Sequence, residues 1–278
     1  MKGLEPLPAV ERGDAAQAGE GRWRKIVWPA TVFLASVVLW GAVVHFGSIP
    51  PYILPGPLLV MRTLIADWPV LSASLGVTLF TALEGFIAAA IGGIALALLF
   101  KQSKWLEYAL LPYAIVLQVT PVIAIAPLML IYLPQQAAVV ACAWIVAFFP
   151  VLANTTLGLN SVDRHLAGLF QLNNASRWQT LRYLQLPSAL PFILGGLRIA
   201  GGLSLIGAVA AEIAAGAAGS GSGLAYRIAE SSYRLNIPRM FAALLLLSIA
   251  GIVIYMLLAL VSHALLRRWH ESALRKEK

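Results

Sequence analysis

The residues that could do chemistry in this chain are a few charged side chains set inside long apolar runs: Glu84, Arg198 and Glu212. A charge near the middle of a bilayer costs at least about 2.5–3.5 kcal/mol, so each should face protein or water. Two roles fit them. They line or switch a solute path, or they lie near helix ends and pair structurally, and Arg198 is near enough to one end of its run to reach polar surroundings.

A second set of polar residues, Gln118 and Thr120, lies beside a proline in another apolar run. Pro121 and Pro127 should kink the apolar run that contains them. A kinked helix exposes backbone carbonyls, which is useful where a polar solute passes. A kink that serves only packing is the alternative. The polar residues beside the kink and two of the buried acids are therefore candidates for lining a polar path through the apolar runs: Glu84, Gln118, Thr120, Pro121 and Glu212.

The sequence holds no catalytic, nucleotide-binding or metal-binding pattern. No Gly-Lys pair occurs, so the phosphate-binding P-loop consensus is absent, and the glycine-rich segment Gly219–Gly223 is better explained as an outer or re-entrant loop. The four histidines are scattered, and none stands at metal-ligand spacing from a Cys, Asp or Glu. The single cysteine, Cys142, excludes an internal disulfide. We therefore expect no catalytic residue, no metal and no cofactor bound by this chain.

Composition indicates the fold class. Hydrophobic residues make up 60% of the 278 residues and charged residues 12%, against about 45–50% and about 25% in soluble domains. The net charge of +8 is compatible with nucleic-acid binding, but no basic cluster is interleaved with aromatic residues. Basic residues also orient membrane proteins, and that explanation is preferred. The composition predicts an all-α membrane protein that binds lipid and no nucleic acid.

Apolar runs long enough to cross a membrane recur along the chain, since about 20 residues span the hydrocarbon. The third and fourth are divided only by Pro134 and its neighbours, and the first resembles an uncleaved anchor more than a signal peptide. We predict about six transmembrane helices: Ile26–Phe46, Leu71–Phe100, Leu106–Leu133, Gln136–Leu157, Ala189–Ala214 and Met240–Leu266.

Six spans place both termini on one side, and the distribution of Lys and Arg decides which. Most of the 20 basic residues fall on the side of the termini, so both termini are predicted to be cytoplasmic. The predicted organisation is a disordered cytoplasmic N-terminus over residues 1–25, a transmembrane domain over 26–268 and a cytoplasmic tail over 269–278.

The cytoplasmic loop 158–187, between spans four and five, carries the most information. Asp163 and Ser176 can each cap a short helix. The Asn173–Asn174 pair tolerates the left-handed backbone of a sharp turn between them. Pro187 should stop the second helix, because proline disfavours helix at the residue before it. We call residues 163–187 the elbow. It is either a surface for a soluble partner or only a solvated connector between two spans.

The elbow resembles the cytoplasmic signature loop of ABC-importer permeases. The spacing and the Leu-Pro end of that pattern match, with Leu184 at the isoleucine position and Asn174 at the glycine position. The Glu-Ala-Ala opening is replaced by Gly168, Leu169 and Phe170. The matching run is Asn174-Ala175-Ser176-Arg177-Trp178-Gln179-Thr180-Leu181, ending Leu184-Gln185-Leu186-Pro187.

Further segments resemble the nitrate/sulfonate/taurine class of these permeases, and the likeness covers about residues 50–268. The segments that carry it are Leu54–Pro57, Gly85-Phe86, Thr120–Pro127, Pro187–Pro191, Gly195–Arg198, Ala211-Glu212 and Gly221–Leu224.

The resemblance implies a set of partners in a bacterial inner membrane. A second permease copy completes the path, a cytoplasmic ABC ATPase dimer binds ATP and docks on the signature loops, and a periplasmic or lipid-anchored binding protein delivers the solute. The residues implied in ATPase coupling are Asn174, Ala175, Ser176, Arg177, Trp178, Leu181, Leu184, Leu186 and Pro187.

The class resemblance suggests a small polar, anionic solute such as nitrate, an alkanesulfonate or taurine, and outer arginines such as Arg227, Arg234 and Arg239 would favour an anion. The alternative solute is a thiamine pyrimidine precursor or a similar heterocycle. An alternative of another class is a secondary transporter driven by an ion gradient, which would require a more evident buried carboxylate site or inverted repeats. A membrane-embedded enzyme is a further alternative, weakened by the missing catalytic set.

Overall fold

The computed structural model describes residues 14–216 and 221–267, with side chains from residue 27 onward. These residues contain helices and no β-strand. A five-residue π turn, Leu181–Gln185, separates α8 from α9. The helices are α1 (Asp14–Phe46), α2 (Pro57–Ala66), α3 (Trp68–Gln102), α4 (Lys104–Val119), α5 (Val122–Tyr132), α6 (Gln135–Asn160), α7 (Arg164–Leu172), α8 (Arg177–Thr180), α9 (Leu186–Ala215), α10 (Leu224–Tyr233) and α11 (Ile237–Leu266).

The described helices confirm an all-α membrane protein. Five stretches are long and apolar enough to cross a bilayer: α1, α3, α6, the continuous run Arg177–Ala215, and α11. A sixth span forms if α4 and α5 are counted together across the bend that separates them. Each predicted span therefore corresponds to one of these helices or to the bent pair.

The predicted kink in the third span is a break at Thr120–Pro121. The axes of α4 and α5 differ by 101°. Thr120 is extended, with ψ of 124°, as expected for a residue that precedes proline. Pro127 lies inside α5 without interrupting it. The kink prediction is confirmed for Pro121, and for Pro127 it stays a prediction.

The centre of the bundle is formed by α3, α6 and α9, which approach closely through small residues. Gly85 of α3 faces Ala143 of α6, and Gly207 of α9 lies against the backbone of Cys142 and Ala143 of α6. A Cβ at Gly207 would lie 2.7 Å from the Cys142 carbonyl oxygen, so only glycine allows this approach. Gly207 therefore serves packing within the chain.

The helix α1 begins at Asp14, before the span that the sequence predicted, so it includes residues 14–25 of the predicted N-terminal segment. The segment contains Ala15, Ala16 and Ala18, which favour helix. The rest of the predicted disorder, residues 1–13, and the tail 269–278 lie outside the described residues. Near its C-terminal end α1 meets the bundle, where Trp40 lies 6.1 Å from Phe241 between ring centroids.

The elbow follows the predicted cap chemistry. The Asp163 carboxylate accepts from the backbone N–H of His165 at 2.6 Å and caps α7. Asn174, at the glycine position of the signature, has a φ of 51°. Ser176 and Gln179 form a reciprocal capping box at the start of α8. Side-chain hydrogen bonds therefore hold this segment in a defined shape.

Pro187 does not stop the second elbow helix, so that prediction is wrong. The chain continues from α8 through the π turn into α9, with Pro187 in the first turn of α9. The N–H of Leu186 bonds to the carbonyl of Leu181, five residues back. The wider turn accommodates a proline ring that would meet the carbonyl four residues earlier in a regular α-helix.

We call the end of the bundle that carries α7 and α8 the elbow end, and the other the opposite end. At the elbow end Lys101 donates to Asn160 at 2.7 Å, joining α3 to α6. At the opposite end Arg239 of α11 pairs with Asp67 at 2.9 Å. The short helix α10 lies there and was not predicted, although its i,i+4 pair Leu224 and Ile228 was a helical signal in the sequence.

Candidate functional site

A polar cavity of about 610 Å³ opens between α3, α6 and α9 at the opposite end. It includes the buried acid Glu212 and amide and hydroxyl groups from three other positions. Its lining residues are Ala73, Gly76, Val77, Phe80, Thr81, Gln135, Gln136, Val139, Glu212, Gly221 and Gly223.

Glu212 is held by the first turn of α10 and by α3. Its side chain is only 5% exposed. Its Oε2 accepts from the hydroxyl of Thr78 at 2.9 Å and from the backbone N–H of Ala225 at 3.1 Å. The same Thr78 hydroxyl accepts from the N–H of Leu224 at 2.8 Å. The carboxylate thus meets the unpaired N–H groups and positive dipole end of a helix, which favours a negative charge.

The other carboxylate oxygen is not used in this arrangement. Oε1 of Glu212 is buried and has no hydrogen-bond partner among the described residues. Gly223 packs so closely on the carboxylate that a Cβ at this position would overlap it. A buried acceptor without a partner is costly, so this packing leaves Glu212 with one unsatisfied oxygen, covered by Gly223.

The two sides of α3 differ in chemistry. One side, with Phe80 and Thr81, faces the polar cavity. The other side, with Leu75 and Leu79, faces a cleft of about 410 Å³ that α9 and α11 complete with apolar residues. Polar groups at membrane depth are stable only toward protein or water, so the polar side of α3 suits a water-filled cavity and the apolar side suits protein or lipid.

The structure brings together only some of the residues predicted for the path. Gln136 at the cavity donates to Glu84 at 3.4 Å, which connects both predicted acids to one region. Gln118, Thr120 and Pro121 lie at the α4–α5 break instead and do not line this cavity.

Arg198 is partnered by an aromatic ring rather than by an acid. Its guanidinium lies 5.9 Å from the ring centroid of Tyr255, and its Nε has no hydrogen-bond partner among the described residues. None of the ion pairs found in residues 27–216 and 221–267 joins Arg198 to Glu84 or Glu212. The structural Arg–Glu pair considered from the sequence is not formed here.

Sequence reasoning missed the threonines of α3. Ser74, Thr78 and Thr81 are buried, and they follow one another at helical spacing along an apolar helix. Polar residues at i, i+4 and i+7 in an apolar run indicate one face of a helix. That spacing was the available signal, but the partner of Thr78 is 134 residues away in sequence.

The elbow offers an exposed face and a buried face. Trp178 is 63% exposed, and Asn174 and Arg177 are also exposed. Leu181 and Leu184 are buried and pack the π turn against the bundle. The predicted coupling residues thus divide into a surface that can contact another protein and an anchor that joins this surface to α9.

Comparisons with known proteins agree with this arrangement. Residues 85–275 match the family described as binding-protein-dependent transport system inner membrane component. A solved amino acid ABC transporter structure aligns with a TM-score of 0.60 and 20% identity over 72% of this chain and 96% of that one, a likeness of fold.

Related proteins match over most of their length. The riboflavin transport system permease protein of Chloroflexus aurantiacus is 35% identical over 90% of this chain and 92% of its own. The formylaminopyrimidine transport permease protein of Halalkalibacterium halodurans is 33% identical over 81% and 89%. A putative aliphatic sulfonates transport permease protein of Bacillus subtilis is 27% identical over 93% and 94%. With its apolar helices, capped elbow and polar cavity, the chain belongs to the inner membrane permease subunits of binding-protein-dependent ABC importers.

Proposed function

We propose that this permease couples ATP hydrolysis at its elbow to movement of a solute through the polar cavity at its opposite end. The observation that carries the proposal is the continuous helical run Arg177–Ala215. It joins the exposed elbow residues Arg177 and Trp178 to Glu212 in the cavity wall. In this proposal ATP is bound by separate ATPase subunits.

The elbow end is proposed to be cytoplasmic, with both termini on that side and the cavity toward the periplasm. The bias of Lys and Arg supports this orientation. The exposed face of the elbow then meets the ATPase, and a binding protein delivers solute at the opposite end. ATPase closure moves the elbows of two permeases, and their spans rock to open the path alternately to each side.

The second permease is proposed to be an identical copy that packs against α9. One face of α9 has no partner within the described residues. Nothing lies within 4 Å of an added Cβ at Gly195 or Gly202, and Ile199, Ile206 and Ile213 on the same face are at least half exposed. Small residues that allow backbones to approach favour helix–helix contact in membranes.

The solute is proposed to be a small polar molecule, and the names of the relatives support two classes. The sulfonate permease supports an anion. The riboflavin and formylaminopyrimidine permeases support a nitrogen heterocycle.

The proposal is tested with the importer reconstituted in vesicles with its ATPase and binding protein. Uptake should require ATP and be abolished by vanadate. Trp178→Ala or Arg177→Glu should lower the solute carried per ATP by about tenfold or more, because losing a central aromatic or arginine contact costs about 2 kcal/mol or more.

The matched control is Trp105→Ala. Trp105 is 74% exposed like Trp178 but lies on α4, outside the elbow segment. This variant should keep normal coupling. Normal uptake per ATP in both elbow variants would contradict the proposal, and so would uptake that follows an ion gradient without ATP.

A further inference from the structure

We infer that a pocket between the elbow and the end of α3 receives an acidic side chain of the ATPase, so that this permease holds its ATPase through cations. The inference rests on the proposed function, because it requires the exposed face of the elbow to meet the ATPase. It adds the chemistry of the partner surface to that function.

The elbow pocket, as we call it, is a concavity of about 490 Å³ lined by the C-terminal end of α3 and by the elbow. Lys101 of α3 and Arg177 of α8 bring two cations to its wall, and no Asp or Glu is among its described lining residues. Apart from two alanines, the rest of the wall is made of amide and hydroxyl groups from Gln102, Gln171, Thr180 and Gln185.

Neither cation of the elbow pocket has a carboxylate partner within the part of the chain whose side chains are described. Lys101 donates to the side-chain carbonyl of Asn160, and none of the ion pairs found there includes Lys101 or Arg177. The two acids described at this end are used elsewhere, since Glu107 pairs with Lys104 at 2.6 Å and Asp163 caps α7. Two uncompensated cations in one concavity favour an anionic group.

The elbow as a whole carries the same sign of charge, with three arginines against the single aspartate. Position 168, where the signature pattern has its glutamate, is a glycine, and an added Cβ there would meet nothing within 4 Å. This surface therefore offers no acid at that position and presents cations beside it. Charges across an interface are arranged with opposite signs, so the ATPase surface that faces the pocket should be acidic.

Two other anions occur at this end of the bundle, and the pocket suits them less well. A phospholipid would lay its acyl chains against apolar surface, whereas the described wall is polar except for two alanines. The chain's own tail, residues 268–278, has four basic and two acidic residues, which makes it a poor complement to two cations. A carboxylate of the ATPase fits both the charge of the pocket and its place in the elbow.

The first measurement is the affinity of the purified ATPase for the permease in nanodiscs of neutral lipid, at several salt concentrations. The double variant Lys101→Gln/Arg177→Gln should weaken binding by about tenfold or more, because close charge pairs across an interface contribute strongly. Its affinity should also depend less on salt, since salt screens charges that solvent reaches.

The matched control is Arg182→Gln. Arg182 is an exposed arginine of the same elbow, but it is not among the lining residues of the pocket. Its replacement should change the affinity by about twofold or less, because a solvent-exposed charge contributes little.

A zero-length carbodiimide then identifies the occupant, because it joins a lysine amine to a carboxylate that touches it. We expect Lys101 to be joined to an Asp or Glu of the ATPase, as mapped by mass spectrometry. Lys104 joined to Glu107 is the internal positive control, since their charged atoms are 2.6 Å apart. Lys101→Arg should lose the cross-link and keep the affinity, because arginine retains the charge without a reactive amine.

Three outcomes would overturn the inference. They are unchanged affinity in the double variant, Lys101 joined to a carboxylate of this chain, and Lys101 joined to nothing while the Lys104–Glu107 link forms. None of them would affect the proposed function, which depends on vanadate-sensitive uptake and on the Trp178→Ala variant. Loss of that uptake in the unaltered importer would instead remove the basis of both.

Discussion

Gly207 shows how one missing side chain determines whether two helices can touch. The ideal Cβ at this position would lie 2.7 Å from the Cys142 carbonyl oxygen and 2.8 Å from the Cα of Ala143. Both are backbone atoms of α6, so neither can move without shifting the helix. We expect Gly207→Ala to destabilise the permease by about 1–3 kcal/mol, as overpacking of a core does. Thermal unfolding of the purified protein measures this.

Gly168 is the control for this substitution, because it also lies inside a helix, α7, and an added Cβ there meets nothing within 4 Å. Gly168→Ala should be neutral or stabilise by up to about 1 kcal/mol, since alanine favours helix more than glycine does. If both variants melt at the same temperature as the unaltered protein, the close contact at Gly207 is not a determinant of stability.

At the scale of single residues, local chemistry was predictable and distant partners were not. Side chains that bond backbone groups two or three residues away explain the caps at Asp163 and Ser176. The left-handed backbone of Asn174 is likewise a local preference of its residue type. The hydrogen bond between Glu212 and Thr78 joins helices far apart in sequence. The sequence identified Glu212 as a buried acid, but only the packing of α3 against α9 shows what satisfies one of its oxygens.

Among the elements, the π turn Leu181–Gln185 links the elbow to α9 and owes its width to Pro187. We expect Pro187→Ala to let the turn relax to a regular α-helix, because the ring clash that favours the wide turn is removed. A regular α turn holds about one residue fewer than a π turn, so this change would rotate the elbow about the axis of α9. ATP hydrolysed per solute carried should then rise, as measured in reconstituted vesicles.

Pro191→Ala provides the comparison, because Pro191 lies in the same helix, four residues further from the elbow and outside the π turn. Its replacement should leave coupling near normal. Equal coupling in the two variants would show that the π turn does not set the orientation of the elbow.

The same element shows why sequence rules failed at this point. The rule that proline ends a helix treats the preceding turn as a regular α-turn. Here one extra residue in the turn removes the conflict, and the helix passes through. The span boundaries were otherwise predictable from apolar length, whereas α10 was missed because its polar residues obscured the short helical pattern of Leu224 and Ile228.

For the whole assembly, the unpaired face of α9 predicts contact between two copies. Gly202→Cys should form a disulfide-linked dimer on mild oxidation in membranes, visible on non-reducing gels. The native cysteine should not compete in this cross-linking, since Cys142 is the single cysteine of the chain and is buried. Ile252→Cys on α11, where Ile252 is 54% exposed, is the control and should remain monomeric. Stronger cross-linking at position 252 than at 202 would assign the contact to α11 instead.

The continuous run Arg177–Ala215 has a mechanical consequence. Trp178 and Glu212 are separated along one helical rod by about 50 Å at 1.5 Å per residue. A rod of this length acts as a lever: a tilt of about 6° at the elbow displaces the far end by about 5 Å, close to one helical turn. A small rotation imposed at one face of the membrane is therefore large enough to pull the Glu212 carboxylate away from Thr78 at the other.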